Sequence, residues 1–539
     1  MKKKQKDLVW AQMAVNSSRK GHSFPEQQSV GGLLRKVFGS LIALICVCYF
    51  IYALNLLFSN NYACWHPIIS TTSSSGSSST TEPLALRSLN ATKNVNDSNG
   101  DNKNIGHSSH RKAIQVISAK PARRESSNGT DLKHIVFGIA STARFWDIRK
   151  EYIKLWWRPK EMRGFVWVEK PVKGKDSSLP PLKISGNTSH FKYTNKQGHR
   201  SAIRISRIVS ETFRMGFPDA HWFVMGDDDT VFIADNLVRV LSKYDHRKFY
   251  YIGSLSESHL QNIFFSYSMA YGGGGFAISY PLAKALESMQ DQCIQRYPGL
   301  YGSDDRMQAC MSELGVPLTK EPGFHQYDVY GNLFGLLAAH PVSPLVSVHH
   351  LDVVEPIFPN MTRLRALQHL NKAVKIDSAG LMQQSICYDK EREWSFSISW
   401  GYAVQIFRTI FSPRELEMPS RTFLNWYRRA DFTAYAFNTR PVTRHPCQKP
   451  FIFYMKDVRY DEASGQTISN YVRQKVIPPE CRWRIPSPEF VDSIRVMKKP
   501  DTLLWQSPRR NCCRLMSSKK STLEFEVGAC QEGEIIGVS

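Results

Sequence analysis

Three consecutive carboxylates, Asp227, Asp228 and Asp229, follow directly on the apolar run Trp222-Phe223-Val224-Met225 and its closing Gly226. Like charges this close repel one another, and a bound divalent cation relieves the repulsion. A solvated acidic turn is the plainer alternative. A second acidic pair, Asp304 and Asp305, comes after Ser303. One of its carboxylates could act as a general base. A helix start would equally explain the pair, since Ser is a good N-cap and acidic residues favour the first turn. His349 and His350 close the short stretch Ser347-Val348. Imidazole is a ligand for divalent transition metals, although exposed histidines need no such role. His325 and His340 are candidates of the same kind. Gly272 to Gly275, placed before Phe276-Ala277-Ile278, would let backbone approach a ligand closely, or would make a flexible hairpin. The run lacks the Gly-Lys-Ser/Thr that a P-loop needs.

These groups need elements to hold them. His134 to Ala140 reads as a buried strand, Ile148 to Trp157 as a helix, and Gly164 to Glu169 as a second strand ending in a carboxylate. The spacing of Ala202, Ile205, Val209 and Phe213 predicts one helix from Ser201 to Met215, closed by Gly216. His221 to Gly226 is then a strand. The Asp triplet therefore stands at a strand's C-terminal end, where open α/β sheets place ligands. Asp235 is expected to cap a helix whose inner face is Leu237, Val238 and Leu241. A strand at Phe249–Gly253, a helix from Pro281 to Met289 and a helix bearing Met307, Cys310, Met311 and Leu314 complete an α/β unit. Its sheet should be mostly parallel with covered faces.

The 539 residues are 42% hydrophobic and 12% aromatic, enough for real cores, and the formal charge is +23. The basic residues are dispersed, without zinc-finger spacing or an RNA-binding signature, so no nucleic-acid partner is expected. Residues 1–36 form a basic tail. Residues 37–58 carry no charge and are long enough to span a bilayer, with the basic flank on the cytosolic side. This run is too long and begins too far in for a cleaved signal peptide, so it reads as a single-pass type II signal anchor. The rest would be lumenal. Residues 59–130, rich in Ser, Thr and Asn, read as an unfolded stem. Sequons at Asn90, Asn96, Asn128, Asn187 and Asn360 fit a lumenal glycoprotein. Of 11 cysteines, Cys46 and Cys48 lie in the anchor. The others, odd in number and without a CxxC, point to disulfides rather than zinc. A Cys293–Cys310 pair would staple the segment around Asp304-Asp305. Residues 131–376 hold the α/β domain. Residues 377–539 read as a mainly β accessory region, with Trp394–Trp400 alternating like a half-buried strand and similar stretches at Tyr402–Ile406, Thr422–Tyr427, Phe451–Tyr454 and Thr522–Val527.

The order of Trp222-Phe223 leading to Asp227-Asp228-Asp229, then the glycine run with Phe276, then Asp304-Asp305, then His349-His350-Leu351-Asp352 resembles the fringe-like branch of the β-1,3-glycosyltransferases. It is most similar to a plant family of fringe-related proteins labelled as a domain of unknown function. The resemblance covers about Lys133 to Asp352. It implies a GT-A fold, a UDP-sugar donor, Mn2+ and inversion at the anomeric carbon. By the same resemblance Asp229 would bind the metal together with His350 or its neighbour His349. Asp227 and Asp228 would contact the uridine–ribose side. Ser141, Thr142 and Arg149 would lie at the uridine pocket with Glu169 near it, and Gly273 and Gly274 would line the donor sugar. Asp305, with Asp304 beside it, would be the base. Two departures from fringe, the longer spacing from Asp305 to the histidines and their adjacency, leave the choice of histidine open. The anchor and stem match the usual layout of a Golgi membrane glycosyltransferase.

The expected function is transfer of a hexose or N-acetylhexosamine from a UDP-sugar to the hydroxyl of a glycan, glycoprotein or small glycoside. The accessory region has no counterpart in fringe, so the acceptor is not carried over. The rival is a catalytically silent lumenal carbohydrate-binding or scaffold protein of the same fold, which would have no need of both the Asp triplet and the Asp pair.

Overall fold

A computed structural model describes residues 129–537 apart from 175, 428–430, 432–433, 477–480, 483, 502–503, 507–508 and 520. The expected tail, anchor and nearly all of the stem, with Cys46, Cys48, Cys64 and the sequons at Asn90, Asn96 and Asn128, lie outside the described residues. Among the described residues no helix is long and apolar enough to cross a membrane.

The first part runs β1 (Ile135–Ala140), a helix at Trp146–Ile153, β2 (Arg163–Val168), β3 (Leu182–Ile184), helices at Ser201–Ser206 and Ile208–Phe213, β4 (Trp222–Asp227), β5 (Val231–Phe232) and a helix at Ala234–Leu241. It continues through β6 (Tyr251–Gly253), a helix at His259–Phe264, β7 (Phe276–Ser279), helices at Tyr280–Arg296 and Asp304–Glu313, β8 (Leu318–Lys320), β9 (Phe324–His325), β10 (Val329–Gly331) and β11 (Ser347–Val348). Seven strands form one sheet in the order β3-β2-β1-β4-β7-β6-β8. The pairs β3–β2, β2–β1, β1–β4 and β6–β8 are parallel, whereas β7 runs against both neighbours. β1 is buried along its whole length, as a parallel strand covered on both faces must be. Its alternation sends Ile135, Phe137 and Ile139 into a cluster with Trp146, Trp156 and Leu237. Val136 and Ala140 enter the opposite cluster, with Val209, Leu286 and Met307.

Three local expectations change. The helix predicted from Ser201 to Met215 is two helices that meet at Arg207, where the N–H bonds back to Arg204 in a tighter turn. The Arg207 guanidinium is drawn sideways onto Glu211 and Asp291. Asp235 does not cap its helix. That helix begins at Ala234, and both Asp235 oxygens accept from Arg158, at 2.9 and 2.7 Å, so a tertiary ion pair replaces the cap. The helix expected to end at Met289 continues to Arg296, and Cys293 within it bonds to Cys310 on the helix that starts at Asp304.

After a helix at Arg363–Asp377 come β12 (Gln384–Asp389), β13 (Trp394–Ser399), β14 (Ala403–Phe407), β15 (Phe423–Asn425), β16 (Phe451–Asp461), β17 (Gln466–Arg473), β18 (Ser493–Lys498), β19 (Cys512–Lys519) and β20 (Thr522–Gly528). Eight of these form a second sheet, β12-β13-β14-β16-β17-β18-β20-β19, antiparallel except for β18–β20. Disulfides Cys387–Cys513, Cys447–Cys481 and Cys512–Cys530 tie it. β13 is not half-buried, for all six residues are covered. Its serines can be buried because each hydroxyl is bonded: Ser395 Oγ donates to Thr409 O at 2.7 Å, Ser399 Oγ donates to Leu337 O at 2.8 Å, and Ser397 Oγ accepts from Gln384 Nε2 at 2.9 Å. β15 leaves this sheet and pairs antiparallel with β10. One apolar cluster joins Leu337, Val348 and Leu351 to Trp394, Phe396 and Phe525, so the second sheet packs directly beneath the end of the first part.

Candidate active site

The parallel register of β1 and β4 sets Ala140 opposite Asp227, so the turns after both strands open at one edge. Asp227 is the last residue of β4, and Thr230 locks the acidic turn. Thr230 Oγ1 accepts from the Asp227 N–H at 2.8 Å and donates to Gly273 O at 2.7 Å, which ties the Asp triplet to the glycine run. β11 pairs with β5 and β9 and brings His349 in behind them. His349 Nε2 stands 3.2 Å from Asp229 Oδ1 and 3.8 Å from Asp227 Oδ2. These three residues converge closely enough to share one cation. Apart from this ion-pair contact with His349, Asp229 Oδ1 is buried without a hydrogen-bond partner, and His349 Nδ1 is likewise buried without one. An orphaned carboxylate oxygen facing an imidazole nitrogen, with a second carboxylate alongside, fits a divalent cation such as Mn2+. Gly273 is obligatory here by close approach: a Cβ on it would lie 2.1 Å from His349 Cε1.

The electrostatics follow from crowding. Asp227 is pushed up by its surroundings and by Asp229, Asp304 and Asp228, while its side chain keeps 38% of its exposure and so opens to the cleft. Asp228 is raised to about 6 by burial, against the pull of Arg149. Burial opposes ionisation of Asp229 too, but Arg149 and His349 overcome it and hold this carboxyl far below the usual range. Arg149 reaches Asp229 at 2.6 Å, Asp352 at 2.9 Å and Asp228 at 3.1 Å. Asp228 also accepts from Ser141 Oγ at 2.7 Å. Glu169 receives Thr142 Oγ1 and the Ala143 N–H, each at 3.2 Å.

The two carboxylates of the acidic pair face different ways. Asp305 turns back on its own helix start and accepts from the N–H groups of Tyr301 at 2.7 Å, Gly302 at 2.9 Å and Arg306 at 2.9 Å. Asp304 lies against the glycine run. It accepts from the Gly272 N–H, and a Cβ on Gly272 would sit 2.7 Å from its Oδ1. Burial raises Asp304 to about 6, and its charge in turn raises Asp227.

The family model described as Fringe-like matches residues 130–332. Residues 130–332 are thus similar to the fringe-like family. A second model, described as Protein of unknown function, DUF604, matches residues 261–513 and so spans Asp304, the histidines and most of the second sheet. Human beta-1,3-glucosyltransferase is 32% identical over 105 residues, and the mouse protein of the same name is 33% identical over 105 residues. Each match covers 20% of this chain and 20% of the relative, so the chain spans about a fifth of the length of the curated relatives it matches. Among solved structures, a galactosyltransferase LgtC in complex with donor and acceptor sugar analogs aligns over 43% of this chain and 94% of its own, at 12% identity and a TM-score of 0.27, too distant to bear on the fold.

The edge of the sheet gathers Asp227 and Asp229 from the fringe-like match and His349 from beyond it, while Ser141, Arg149 and Asp228 form a linked group beside them. Asp227 converges with Asp229 and His349, whereas Asp228 is held by Arg149 and Ser141. Arg149 contacts the acidic triplet itself. Of the paired histidines His350 turns away: it has φ +61°, and its Nδ1 lies 3.2 Å from Asp328, whose contact raises it despite burial. Its ring stacks on Trp426 at 5.0 Å, and Trp426 stacks on Tyr330 at 4.6 Å. Sequence reasoning missed Asp328, Asp352, Arg204 and Trp426. Arg204 is a buried cation that donates to Ser141 O at 2.8 Å and Trp167 O at 3.1 Å, shaping the turn after β1. Asp352 was visible as the acidic residue after His350-Leu351. Trp426 carried no local signal. His325 and His340 do meet, Nε2 to Nε2 at 2.9 Å, but with Glu257 in a separate buried chain.

Proposed function

We propose that this chain is an inverting, divalent-metal-dependent β-1,3-glycosyltransferase. It moves a hexose or N-acetylhexosamine from a UDP-sugar to an acceptor hydroxyl in the Golgi lumen, where one N-terminal anchor holds it. The family matches support the transferase class. The observation that carries the reading is the convergence of Asp227, Asp229 and His349 beside a glycine run whose other side touches a buried carboxyl, Asp304, that burial raises to about 6.

Asp227, Asp229 and His349 would hold a divalent cation, which would offset the charge that develops on the leaving diphosphate. The chain's own groups do the rest. The glycine run admits the donor sugar without side-chain clash. Ser141, Arg149 and Asp228 form the polar wall on the nucleotide side. The acceptor oxygen bonds to the anomeric carbon as that carbon's bond to the diphosphate oxygen breaks, with the two oxygens on opposite faces. The acceptor's proton passes to Asp304, whose value near 6 suits a base working around neutrality. Asp305, expected from the resemblance to be the base, has its oxygens committed to three backbone donors and holds the helix start.

The test compares Asp304→Asn with Asp305→Asn by UDP release in the presence of Mn2+. Asp304→Asn should lower kcat by about 10²–10⁴-fold. Asp305→Asn should cost less rate and more stability. The reverse ranking would return the base to Asp305, and full turnover in both variants would remove the base assignment altogether.

A further inference from the structure

The glycine run is a pinned turn, not a loose hairpin. The Gly275 N–H closes it on Gly272 O at 3.0 Å. Side chains from four parts of the chain hold further peptide groups of the run. Asp304 accepts from the Gly272 N–H, and Thr230 Oγ1 donates to Gly273 O at 2.7 Å. Gln326 Oε1 accepts from the Gly274 N–H at 2.7 Å, and Ser347 Oγ donates to Gly274 O. Thr230 and Asp304 already have places in the site. Gln326 and Ser347 do not, and both act on Gly274.

One ladder brings Gln326 to the run. β9 and β11 are parallel, with Phe324 opposite Ser347 and His325 opposite Val348, so Gln326 and His349 are the next residues along. His349 goes to the cation group and Gln326 to Gly274. Gly274 lies close on this strand end, for a Cβ on it would be 3.2 Å from both the Gln326 nitrogen and the His325 carbonyl carbon. Gln326 is buried and its amide is matched at both ends. Its oxygen faces the Gly274 N–H, and its Nε2 donates to Asp328 Oδ1 at 3.3 Å. The other Asp328 oxygen accepts from Ser256 Oγ at 2.6 Å, and Oδ1 also stands 3.2 Å from His350 Nδ1. A carboxylate in place of the amide has no N–H to offer Asp328, and an apolar chain would leave the Gly274 N–H unpaired.

We infer that Gln326 is a positioning residue for the sugar of the donor, acting through Gly274. It fixes how far the second half of the glycine run stands from the cation group. It thereby shapes the surface against which a sugar on a cation-held diphosphate lies. Ser347 supports the same glycine through its carbonyl. Naming the ligand a donor sugar rests on the transferase reading.

The part of the donor that loses affinity separates positioning from general support of the fold. UDP lacks the sugar, so a displaced Gly274 leaves UDP binding alone, whereas a loosened site weakens UDP as well. The test is calorimetry on the full chain in detergent with Mn2+. The probes are UDP and its glucose, galactose, N-acetylglucosamine and N-acetylgalactosamine conjugates. Gln326→Met keeps the length of the side chain and removes both amide hydrogen bonds. For each UDP-sugar the wild type binds, the ratio of its Kd to that of UDP should rise about tenfold, while the Kd values for UDP and for Mn2+ change less than about twofold. Ser347→Ala should raise the same ratio about threefold, and it carries the test should Gln326→Met not fold. An unchanged ratio in the folded variant, or UDP weakened as much as the UDP-sugars, would overturn the inference and leave the transferase reading standing. A wild type that binds Mn2+ but none of the UDP-sugars would remove that reading, and the inference with it.

Discussion

At the edge of the first sheet, buried polar atoms stand without partners. Asp229 Oδ1 has only its ion-pair contact with His349 and His349 Nδ1 has no partner, while Asp228, just past the end of β4, and Asp304, at a helix start, are both raised to about 6. Along β13 of the second sheet the opposite holds, although the buried Trp400 Nε1 just after it has no partner. Every serine of β13 is hydrogen-bonded, and Lys498, fully buried, places its ammonium 2.5 Å from Asp377. An unsatisfied buried group costs about 1–3 kcal/mol, so it persists where something else offsets it, and a ligand is the usual candidate. The serines of β13 and the Lys498–Asp377 pair hold the fold, whereas the unpartnered atoms at the edge of the first sheet are ones a bound cation would satisfy. The two regions nevertheless meet at one residue, since Trp426 comes from the second region and clamps His350 next to the cation group.

Removing the ammonium by Lys498→Ala strands Asp377 in a dry site and should lower unfolding free energy by about 3–5 kcal/mol in a denaturant titration. A loss under 1 kcal/mol would mean that the second sheet tolerates unpaired charge as the first does. Next in size is Trp426→Ala. It frees His350 and, through it, His349, so the Mn2+ dissociation constant measured without substrate should rise about 10–100-fold, as when outer-shell support of a metal ligand is lost. Trp426→Phe should restore most of the affinity, and an unchanged constant in the Ala variant would separate the two regions.

The smallest effect is one of pH. Burial raises Glu257 to about 8, and its oxygens meet His325 Nδ1 at 3.0 Å and the Tyr327 N–H at 2.5 Å. A carboxyl with a folded value above its unfolded value of about 4.5 favours the fold when protonated. Its contribution is complete below about 4.5 and disappears as pH rises through about 8. Burial depresses His325 to about 3 and lowers His340 too, so their contribution disappears on the acid side of about 6.5. Between pH 6.5 and 8 Glu257 should make stability fall by about 1.4 kcal/mol per pH unit, beside a loss from His350, whose raised imidazole gives up its proton as pH climbs above 6.5, and Glu257→Gln should reduce that slope. A slope unchanged in the variant would show Glu257 already charged.

The apolar runs of β1 and β4 announced themselves because parallel strands covered on both faces must be apolar throughout, and the acidic triplet after β4 followed from that. The Cys293–Cys310 pair was also legible, since its two helices flank one short segment. Which histidine faces the triplet was not. Adjacent residues leaving a strand point to opposite sides, and the positive φ of His350 that turns it onto Trp426 has no signature in a non-glycine residue. Asp304 and Asp305 pose the same problem at a helix start, where a rotation of about 100° between neighbours decides which one faces the cleft. The serines of β13 read as a solvated face because hydroxyl partners such as Leu337 O and Thr409 O are distant or unmarked in the chain.

The most direct measurement is Mn2+-dependent UDP release from a panel of UDP-sugars, run on the wild-type chain and on Asp229→Ala. At least one donor should give release by the wild type that chelation abolishes and Mn2+ restores, with Asp229→Ala silent at every Mn2+ concentration although folded. Release that ignores chelation, or an Asp229→Ala variant that matches the wild type, would contradict a cation held by Asp227, Asp229 and His349.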